Sequence, residues 1–354
     1  MWYKEKYRIV TENPYNKEKL NGLGLVIYSE WKDSFVNIIQ KNEIKHLFLN
    51  YSLGWKCSDY TFLRYIKPIE TLEIIDTHSV GIKNVEQQHE LVTLCLNLPN
   101  ANDIDYHAFY HLKNVFCYGD KRNDSLFSCN SIEKLYIDDF KIGDKHCIGN
   151  LKNLKDLTIA NSNITSLSFA KELLQLKSLT ILNCKKVQSF SDISFLRNLI
   201  RIEIRGVKNL HDINFLANSK NIEVVIIETD KLASIKSLSS LKRIKALALF
   251  GKNFLIEDMD LTPIYNLEQL SMLDIPNRKC YTVKINCYWN WDDYGKIRKN
   301  WLTENKFTNF IESEEYLLEH STDGSDAFDT LYIGCEKFPQ ADISPVAVDT
   351  GGIM

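Results

Sequence analysis

The stretch Ile132-Glu133-Lys134-Leu135-Tyr136-Ile137, IEKLYI, returns as LKDLTI at residues 154–159 and as LKSLTI at residues 176–181. Related phrases begin at residues 44, 69, 91, 112, 199, 222, 244 and 270. Successive phrases therefore start 20 to 26 residues apart, most often close to 22. A fixed period of this size indicates a repeat architecture, in which each unit buries its apolar edge only against its neighbours.

The phrase predicts a short β-strand. Its first, fourth and sixth residues are apolar and the others are mostly polar, as expected of a strand with one face in a core. Because every repeat advances the chain by the same unit, the strands should stack in parallel. The return half of each repeat is too short for a long helix, and apolar residues three apart, as in Ile193 and Leu196, favour a turn of tight helix.

The phrases resemble the leucine-rich repeats of the 22-residue group, of the protein phosphatase regulator and bacterial internalin type. The resemblance covers roughly residues 44–275, about eleven repeats. It implies an α/β solenoid, a horseshoe with parallel strands on the concave face and short helical or 3-10 turns on the convex face. The family usually has Asn at the ninth position of each repeat, but this sequence has Ser162, Cys184 and Val207 there, so an irregular solenoid is expected, most of all between Pro99 and Phe140.

The two flanks are predicted to be caps. Residues 1–43 contain the apolar run Leu23–Tyr28 and an amphipathic segment with Trp31, Phe35 and Ile39, which predict a strand and a helix over the first repeat. Residues 276–354 form the C-terminal cap and an acidic tail. A terminal repeat needs apolar bulk to cover it, which the tryptophans of this flank can supply.

Composition and charge restrict the class of protein. The net charge of −3 gives no case for a nucleic acid partner, which usually requires a strongly basic face. Nine cysteines, an odd number without CxxC spacing, favour a reducing compartment over a disulfide framework. The N-terminus lacks the apolar core of a signal peptide, and no segment approaches the length of a membrane span. A cytoplasmic protein without a membrane segment or a cofactor is therefore predicted.

Two features could carry chemistry, and each is weak. His107 and His111 stand one helical turn apart, but no Glu or third ligand completes a metal site. Cys335 could be a nucleophile, as in bacterial ubiquitin ligases that join such repeats to a catalytic domain. The CxD motif of those ligases is missing, and His320, a candidate base, is the only histidine nearby in the sequence. We therefore expect neither a metal nor a catalytic residue, and we expect no enzyme.

The strand side chains that point away from the core are the strongest candidates for binding. In the first five repeats these positions are rich in aromatic and acidic residues, which suit a protein interface with a basic partner. The alternative is that the aromatic rings cover one another across adjacent strands and stiffen the sheet. The predicted partner-binding residues are Phe48, Tyr51, Glu73, Asp76, Phe116, Tyr118, Tyr136, Asp138 and Asp139.

The sequence thus predicts a non-enzymatic protein-binding module. An immunity protein that binds and neutralises a toxin or effector in the cytoplasm is one specific role. A regulatory or scaffolding subunit of an enzyme complex is the alternative, and an enzyme with a catalytic C-terminal segment is a third. A second patch, Trp289–Tyr294, could extend the interface, although its tryptophans suit the core of a cap.

Overall fold

A computed structural model describes residues 6–15, 19–77, 80–98, 104–118, 125–140 and 146–283, without the side chains of Tyr118 and His146. These residues belong to two compact units, which are described separately. Unit 1 ends at Leu154 and unit 2 begins at Lys155. The predicted patch at Trp289–Tyr294, together with His320 and Cys335, lies outside the described residues, as does most of the predicted C-terminal cap.

The described chain consists of short strands, one α-helix and many single turns of 3-10 helix. The strands are β1 Tyr7–Glu12, β2 Lys19–Ile27, β3 Ile44–Asn50, β4 Thr71–Ile75, β5 Thr93–Asn97, β6 Asn114–Tyr118, β7 Lys134–Asp138, β8 Asp156–Ala160, β9 Ser178–Leu182, β10 Arg201–Arg205, β11 Val224–Glu228, β12 Lys231–Leu232, β13 Ala246–Phe250, β14 Leu255–Ile256 and β15 Met272–Asp274. The α-helix, α1, is Ser34–Lys41. The 3-10 turns are Tyr51–Leu53, Thr61–Arg64, Ile82–Gln87, Tyr106–Ala108, Leu126–Ser128, His146–Asn150, Ser168–Lys171, Ser191–Phe195, Asn214–Asn218, Lys236–Ser240 and Thr262–Asn266.

The repeated phrase forms the strands and the core, as the pattern predicted. In the repeat that begins at residue 176, the three apolar phrase residues Leu176, Leu179 and Ile181 are fully buried. The return segment of the same repeat buries Ile193 and Leu196 around its 3-10 turn. A tight turn with i→i+3 bonds fits a return segment of this length, because it reverses the chain in few residues.

Unit 1 begins with an antiparallel hairpin and continues as a parallel sheet. β1 pairs antiparallel with β2, and β2 to β7 then follow one another in parallel order. The predicted strand and helix at the N-terminus are both present, as β2 and α1, and α1 buries Phe35 and Ile39. Strand β1 was missed by the sequence pattern because its side chains are half-buried or exposed, which leaves little apolar periodicity.

Unit 2 is a parallel sheet in the order β8-β9-β10-β11-β13-β15. Strands β12 and β14 form a separate two-stranded parallel pair. The ninth-position residues that replace Asn still bind the backbone. Ser162 Oγ donates to the Ala160 carbonyl oxygen at 2.6 Å, and the buried Cys184 Sγ donates to that of Ile159 at 3.6 Å. Serine and cysteine thus supply hydrogen bonds at this position in two repeats.

The eighth position of several repeats has a left-handed backbone. Asp139, Asn161 and Asn183 have φ between 49° and 55°, and Gly206 has φ of 63°. Asn, Asp and Gly are the residues that tolerate this conformation best. In these four repeats the position therefore selects its own residue types and ends the strand with the same turn.

Candidate functional site

A column of side chains crosses unit 1 on the sheet face opposite the repeat core. Neighbouring strands pair Phe48 with Glu73, Glu73 with Cys95, Cys95 with Phe116 and Phe116 with Tyr136. Because strands in a sheet lie about 4.8 Å apart, these five side chains form a continuous row. The register predicted from the repeat is therefore correct. We call this row the unit 1 column.

The predicted solvent exposure of the unit 1 column is wrong. Phe48, Phe116 and Tyr136 are between 1% and 4% exposed, and Glu73 is 0% exposed. The Phe116 and Tyr136 rings stack on each other, with centroids 4.2 Å apart and planes inclined by 19°. The alternative interpretation, in which aromatic side chains on adjacent strands cover one another, therefore describes these two residues.

The loop of the N-terminal hairpin covers the beginning of the unit 1 column. The Tyr15 ring contacts Phe48 edge-on, with ring centroids 6.3 Å apart. Asn50 Nδ2 donates a hydrogen bond to the Tyr15 hydroxyl at 3.2 Å. The contact joins residues 35 positions apart, so the repeat pattern alone could not predict it. This packing is one reason that Phe48 is not available on the surface.

Glu73 is an unusual residue for a buried position. Within the described residues, neither of its carboxylate oxygens has a hydrogen-bond partner of normal geometry. Burial raises the pKa of Glu73 to about 8, although the nearby Tyr15 hydroxyl acts in the opposite direction. Burial, together with the negative charge of Glu73, also raises the pKa of Tyr15 well above its usual value. The carboxyl group is therefore mostly neutral at pH 7, because an unpaired buried charge is costly.

The remaining predicted site residues lie where the strands end, and they differ in exposure. Tyr51 is 45% exposed, and Asp138 and Asp139 are half-buried. Asp76 is buried and accepts hydrogen bonds from the Tyr60 hydroxyl at 2.7 Å and the Thr77 amide at 2.6 Å. The prediction that Asp76 is exposed is wrong, because these hydrogen bonds keep its carboxylate in a buried position. Tyr118 ends β6, and its side chain lies outside the described part.

Unit 2 has a polar cluster on the corresponding face that the sequence analysis did not identify. Arg201 Nη1 donates to Thr180 Oγ1 at 2.7 Å, and Arg201 also forms an ion pair with Glu203. Arg205 Nη1 donates to Glu203 Oε1 at 3.1 Å, and its guanidinium lies 5.6 Å from the centre of the Phe250 ring. The spacing of residues 201, 203 and 205 could have indicated this cluster, since alternate strand residues share a face.

Apolar side chains continue the same face of unit 2 beyond this cluster. Val224, Ile226, Ala246, Ala248 and Met272 pack together, with Phe250 beside them. They occupy β11, β13 and β15, which are adjacent in the sheet. The acidic and aromatic character of the unit 1 column therefore does not extend through unit 2.

The two histidines do not converge on a common point. His107 Nδ1 contacts Asp105 Oδ1 at 2.8 Å and its Nε2 contacts Ser128 Oγ at 2.9 Å, whereas His111 Nε2 lies 3.5 Å from Glu90 Oε2. Backbone and side-chain hydrogen bonds from His107 lower the pKa of Asp105. Within the described ranges, no group of three or more His, Cys, Asp or Glu side chains is arranged to hold a metal ion.

Comparison with solved structures decides the fold. The chain is similar to an internalin, InlF, from Listeria monocytogenes, with a TM-score of 0.50 at 16% sequence identity over 72% of this chain and 87% of that one. In the described part of this chain, successive parallel strands are joined by 3-10 turns. The protein has the leucine-rich repeat fold. At this level of identity, the similarity to the internalin concerns the fold alone.

Two further solved structures are similar at lower TM-scores. One is the leucine-rich repeat protein LIC12759 of Leptospira interrogans, with a TM-score of 0.46 and 17% identity, over 70% of this chain and 75% of that chain. Another is the plant peptide hormone receptor RGFR1 in complex with RGF2, with a TM-score of 0.42 and 14% identity, over 73% of this chain and 50% of the receptor chain. No family model matches the sequence, and no curated protein matches it.

The seven cysteines in the described ranges, Cys57, Cys95, Cys117, Cys129, Cys147, Cys184 and Cys280, are free thiols. Burial raises the pKa of Cys117 to about 12, which keeps this thiol protonated and unreactive at neutral pH. Of the residues that the structure describes, none forms a helix long and apolar enough to cross a membrane.

Proposed function

We propose that this leucine-rich repeat protein is a non-enzymatic module that binds another protein through unit 1. The observation that supports this most is the unit 1 column itself. The repeat requires apolar residues only at the core positions of each strand, such as Leu47 and Leu49 in β3. It does not require a carboxyl group at Glu73 or stacked rings at Phe116 and Tyr136, so these residues need another explanation.

The proposed contact residues are those that a partner can reach. Tyr51, Asp138 and Asp139 lie at strand ends and are partly or largely exposed. An aromatic anchor and peripheral carboxylates suit a partner with a basic surface. Phe48, Glu73, Phe116 and Tyr136 then act beneath this surface by holding the strand ends in a fixed geometry. Asp76 also helps to hold the end of its strand, through the hydrogen bond that it accepts from Tyr60. Tyr118 is the remaining residue of the predicted partner-binding set.

Within this class we favour an immunity protein that neutralises a basic toxin or effector in the cytoplasm. The free thiols of the described cysteines support a reducing compartment, since disulfides are rare there. An acidic contact surface would favour a basic partner, and electrostatic attraction would increase the rate of association.

Affinity capture from lysate of the native host tests the proposed surface. We expect Tyr51→Ala combined with Asp138→Lys to reduce capture of the specific partner by about tenfold or more, because an anchor is lost and an attraction becomes a repulsion. The matched control is Tyr65→Ala with Glu90→Lys, which also changes a tyrosine and an acidic residue, at exposed sites in the segments that precede β4 and β5. Equal capture by wild type and the first variant would reject the surface.

The immunity role has a separate test. A gene for a basic toxin should lie beside the gene for this protein, and co-expression of the wild type should restore growth of cells that make that toxin. The Tyr51→Ala and Asp138→Lys variant should fail to restore growth. Capture of an enzyme whose activity is adjusted, without any toxicity, would favour a regulatory subunit instead.

A further inference from the structure

The sheet of unit 1 has one open edge, which is formed by β1. In the described ranges β1, Tyr7–Glu12, is the terminal strand of the sheet and pairs with β2 alone. All six of its residues are exposed or half-buried. A strand at the edge of a sheet presents unpaired backbone amides and carbonyls, which another strand can bind. We call the free side of β1 the open edge.

The ladder of the N-terminal hairpin shows which backbone groups face the open edge. The Tyr28 amide donates to the Lys6 carbonyl oxygen at 2.9 Å. In an antiparallel pair every second residue bonds to the neighbouring strand, and the residues between point their amides and carbonyls away from it. Tyr7 and Ile9 therefore direct these groups to the open edge, and Thr11 does so by the same alternation. These groups are available to a further strand.

The alternation of side chains holds along the whole of β1. Its register with β2 changes between Val10 and Glu12. Over this stretch β1 advances two residues and β2 advances five, so the additional residues belong to β2. Arg8, Val10 and Glu12 therefore share one face of β1. It is the face of the unit 1 column, because a Cβ atom at Gly24 would lie 2.9 Å from Val10 Cγ2 and 3.0 Å from Phe48 Cε2.

Arg8 and Glu12 are exposed, opposite charges at symmetric places in β1, each two residues from Val10. In the part of the chain that the structure describes, neither forms an ion pair, although Lys19 stands opposite Glu12 in the hairpin register. Along the strand they are separated by about 13 Å, so they cannot neutralise each other within one copy. A twofold axis at Val10 between two antiparallel copies of β1 would place each Arg8 directly opposite a Glu12.

The backbone of β1 agrees with the same pairing. The axis at Val10 places Ile9 opposite Thr11 of the second copy, and both residues direct their backbone groups to the open edge, so they can exchange two hydrogen bonds. Val10 then faces its own counterpart, in a pair whose side chains approach closely. Sliding one strand by a single residue would put the bonding groups out of phase, and sliding it by two would separate Arg8 from Glu12.

We propose that β1 is a dimerisation strand, which pairs antiparallel with β1 of a second copy of this chain and sets Arg8 of each copy against Glu12 of the other. A second copy is favoured over a different protein because the open edge is complementary to itself. Charges on an edge strand usually oppose pairing between copies, but opposite charges at symmetric positions favour it.

The proposed dimer is small and therefore weak. One pair of six-residue strands buries less than a standard protein interface, so we expect a Kd on the order of 10–100 µM. The inference is independent of the proposed function, since β1 contains none of the proposed contact residues. Either can fail without the other.

Sedimentation equilibrium of the full-length protein at low salt, from about 1 to 300 µM, tests the proposal. The mass of the wild type should rise from that of one chain toward that of two. We expect Arg8→Glu and Glu12→Arg each to weaken self-association by about tenfold or more, because both ion pairs become repulsions. An equimolar mixture of the two variants should associate about as well as the wild type, since every reversed charge then faces an opposite one.

The matched controls are Lys41→Glu and Glu43→Arg, at exposed positions at the end of α1 and just after it. They change the net charge by the same amounts, and we expect less than about a twofold change in Kd. The mass of one chain at every concentration would overturn the proposal, as would single β1 variants that associate like the wild type. Equal weakening by the controls, or a mixture that stays monomeric, would also overturn it. Circular dichroism confirms that each variant is folded.

Discussion

At the scale of single residues, Glu73 combines complete burial with a carboxyl group that has no hydrogen bond of normal geometry from the described residues. Its pKa of about 8 in the folded protein exceeds the ordinary value of 4.5, so the folded state binds the proton more tightly than the unfolded chain does. The tighter proton binding contributes to the free energy of unfolding. This contribution is fully present below pH 4.5, and it is lost as the pH rises through the pKa of the folded state. Glu73 therefore makes the protein less stable in mildly alkaline solution.

We predict that Glu73→Gln removes much of this pH dependence. The free energy of unfolding of the wild type should fall by a few kcal/mol, on the order of 2–5, between pH 5 and 8.5, and that of the variant should fall much less. Urea denaturation at several pH values measures this. Glu70→Gln is the control, because Glu70 is a half-buried acid that pairs with Lys45 at 2.6 Å, and this variant should keep the wild-type slope. Parallel slopes for Glu73→Gln and the wild type would contradict the assignment.

The aromatic residues give a second prediction at this scale. Phe116→Ala should lower the free energy of unfolding by about 3–5 kcal/mol, because it removes a buried ring that stacks on Tyr136. Tyr51→Ala should change it by less than about 0.5 kcal/mol, because Tyr51 is largely exposed. Chemical denaturation of both variants measures the two changes in the free energy of unfolding. Similar losses at the two positions would contradict the burial pattern.

At the scale of single elements, the strand-and-turn unit was predictable because its determinants are local. Leu176, Leu179 and Ile181 alternate with polar residues and form the inner face of β9 as expected. The burial of Phe48 was not predictable, because it is covered by Tyr15, which belongs to the N-terminal hairpin outside the repeats. The sequence analysis did not identify the salt-bridged cluster of Arg201, Glu203 and Arg205, because it considered the charges of the chain without asking which pairs would form.

The left-handed turn that follows four of the strands can be tested at Gly206. A Cβ atom there would lie 3.1 Å from the backbone nitrogen and Cα of Asn183, in a residue whose φ is 63°. We expect Gly206→Ala to lower the free energy of unfolding by about 1–2 kcal/mol, through this contact and the backbone strain. Asn183→Gly should cost less, because glycine accepts the same backbone conformation. Equal losses in thermal denaturation would argue against this interpretation.

At the scale of the whole molecule, stability arises mainly from contacts between neighbouring repeats. Within unit 2, each parallel strand pairs only with the strands that flank it in the sheet order, as β10 does with β9 and β11. In such an arrangement, stability is approximately a sum of repeat and interface terms. A core substitution should therefore loosen its own neighbourhood more than distant repeats.

Hydrogen exchange measured by mass spectrometry tests this. Ile202→Ala, in β10, should speed amide exchange in β9 to β11 by about tenfold or more, with a smaller change in β3 to β5. Ile74→Ala, at an equally buried site in β4, is the reciprocal control and should act mainly on β3 to β5. A uniform change along the chain in both variants would show that the protein opens as one cooperative body.

The constancy of the strands contrasts with the variable length of the segments between them. Most strands of the parallel sheet have five residues, while phrase starts are separated by 20 to 26. Insertions and deletions in the connecting segments therefore leave the ladder register unchanged, whereas one residue added within a strand would turn its following side chains to the opposite face. Related genes should accordingly differ by small changes in the connections, or by the gain and loss of complete units, and seldom by a shift inside a strand.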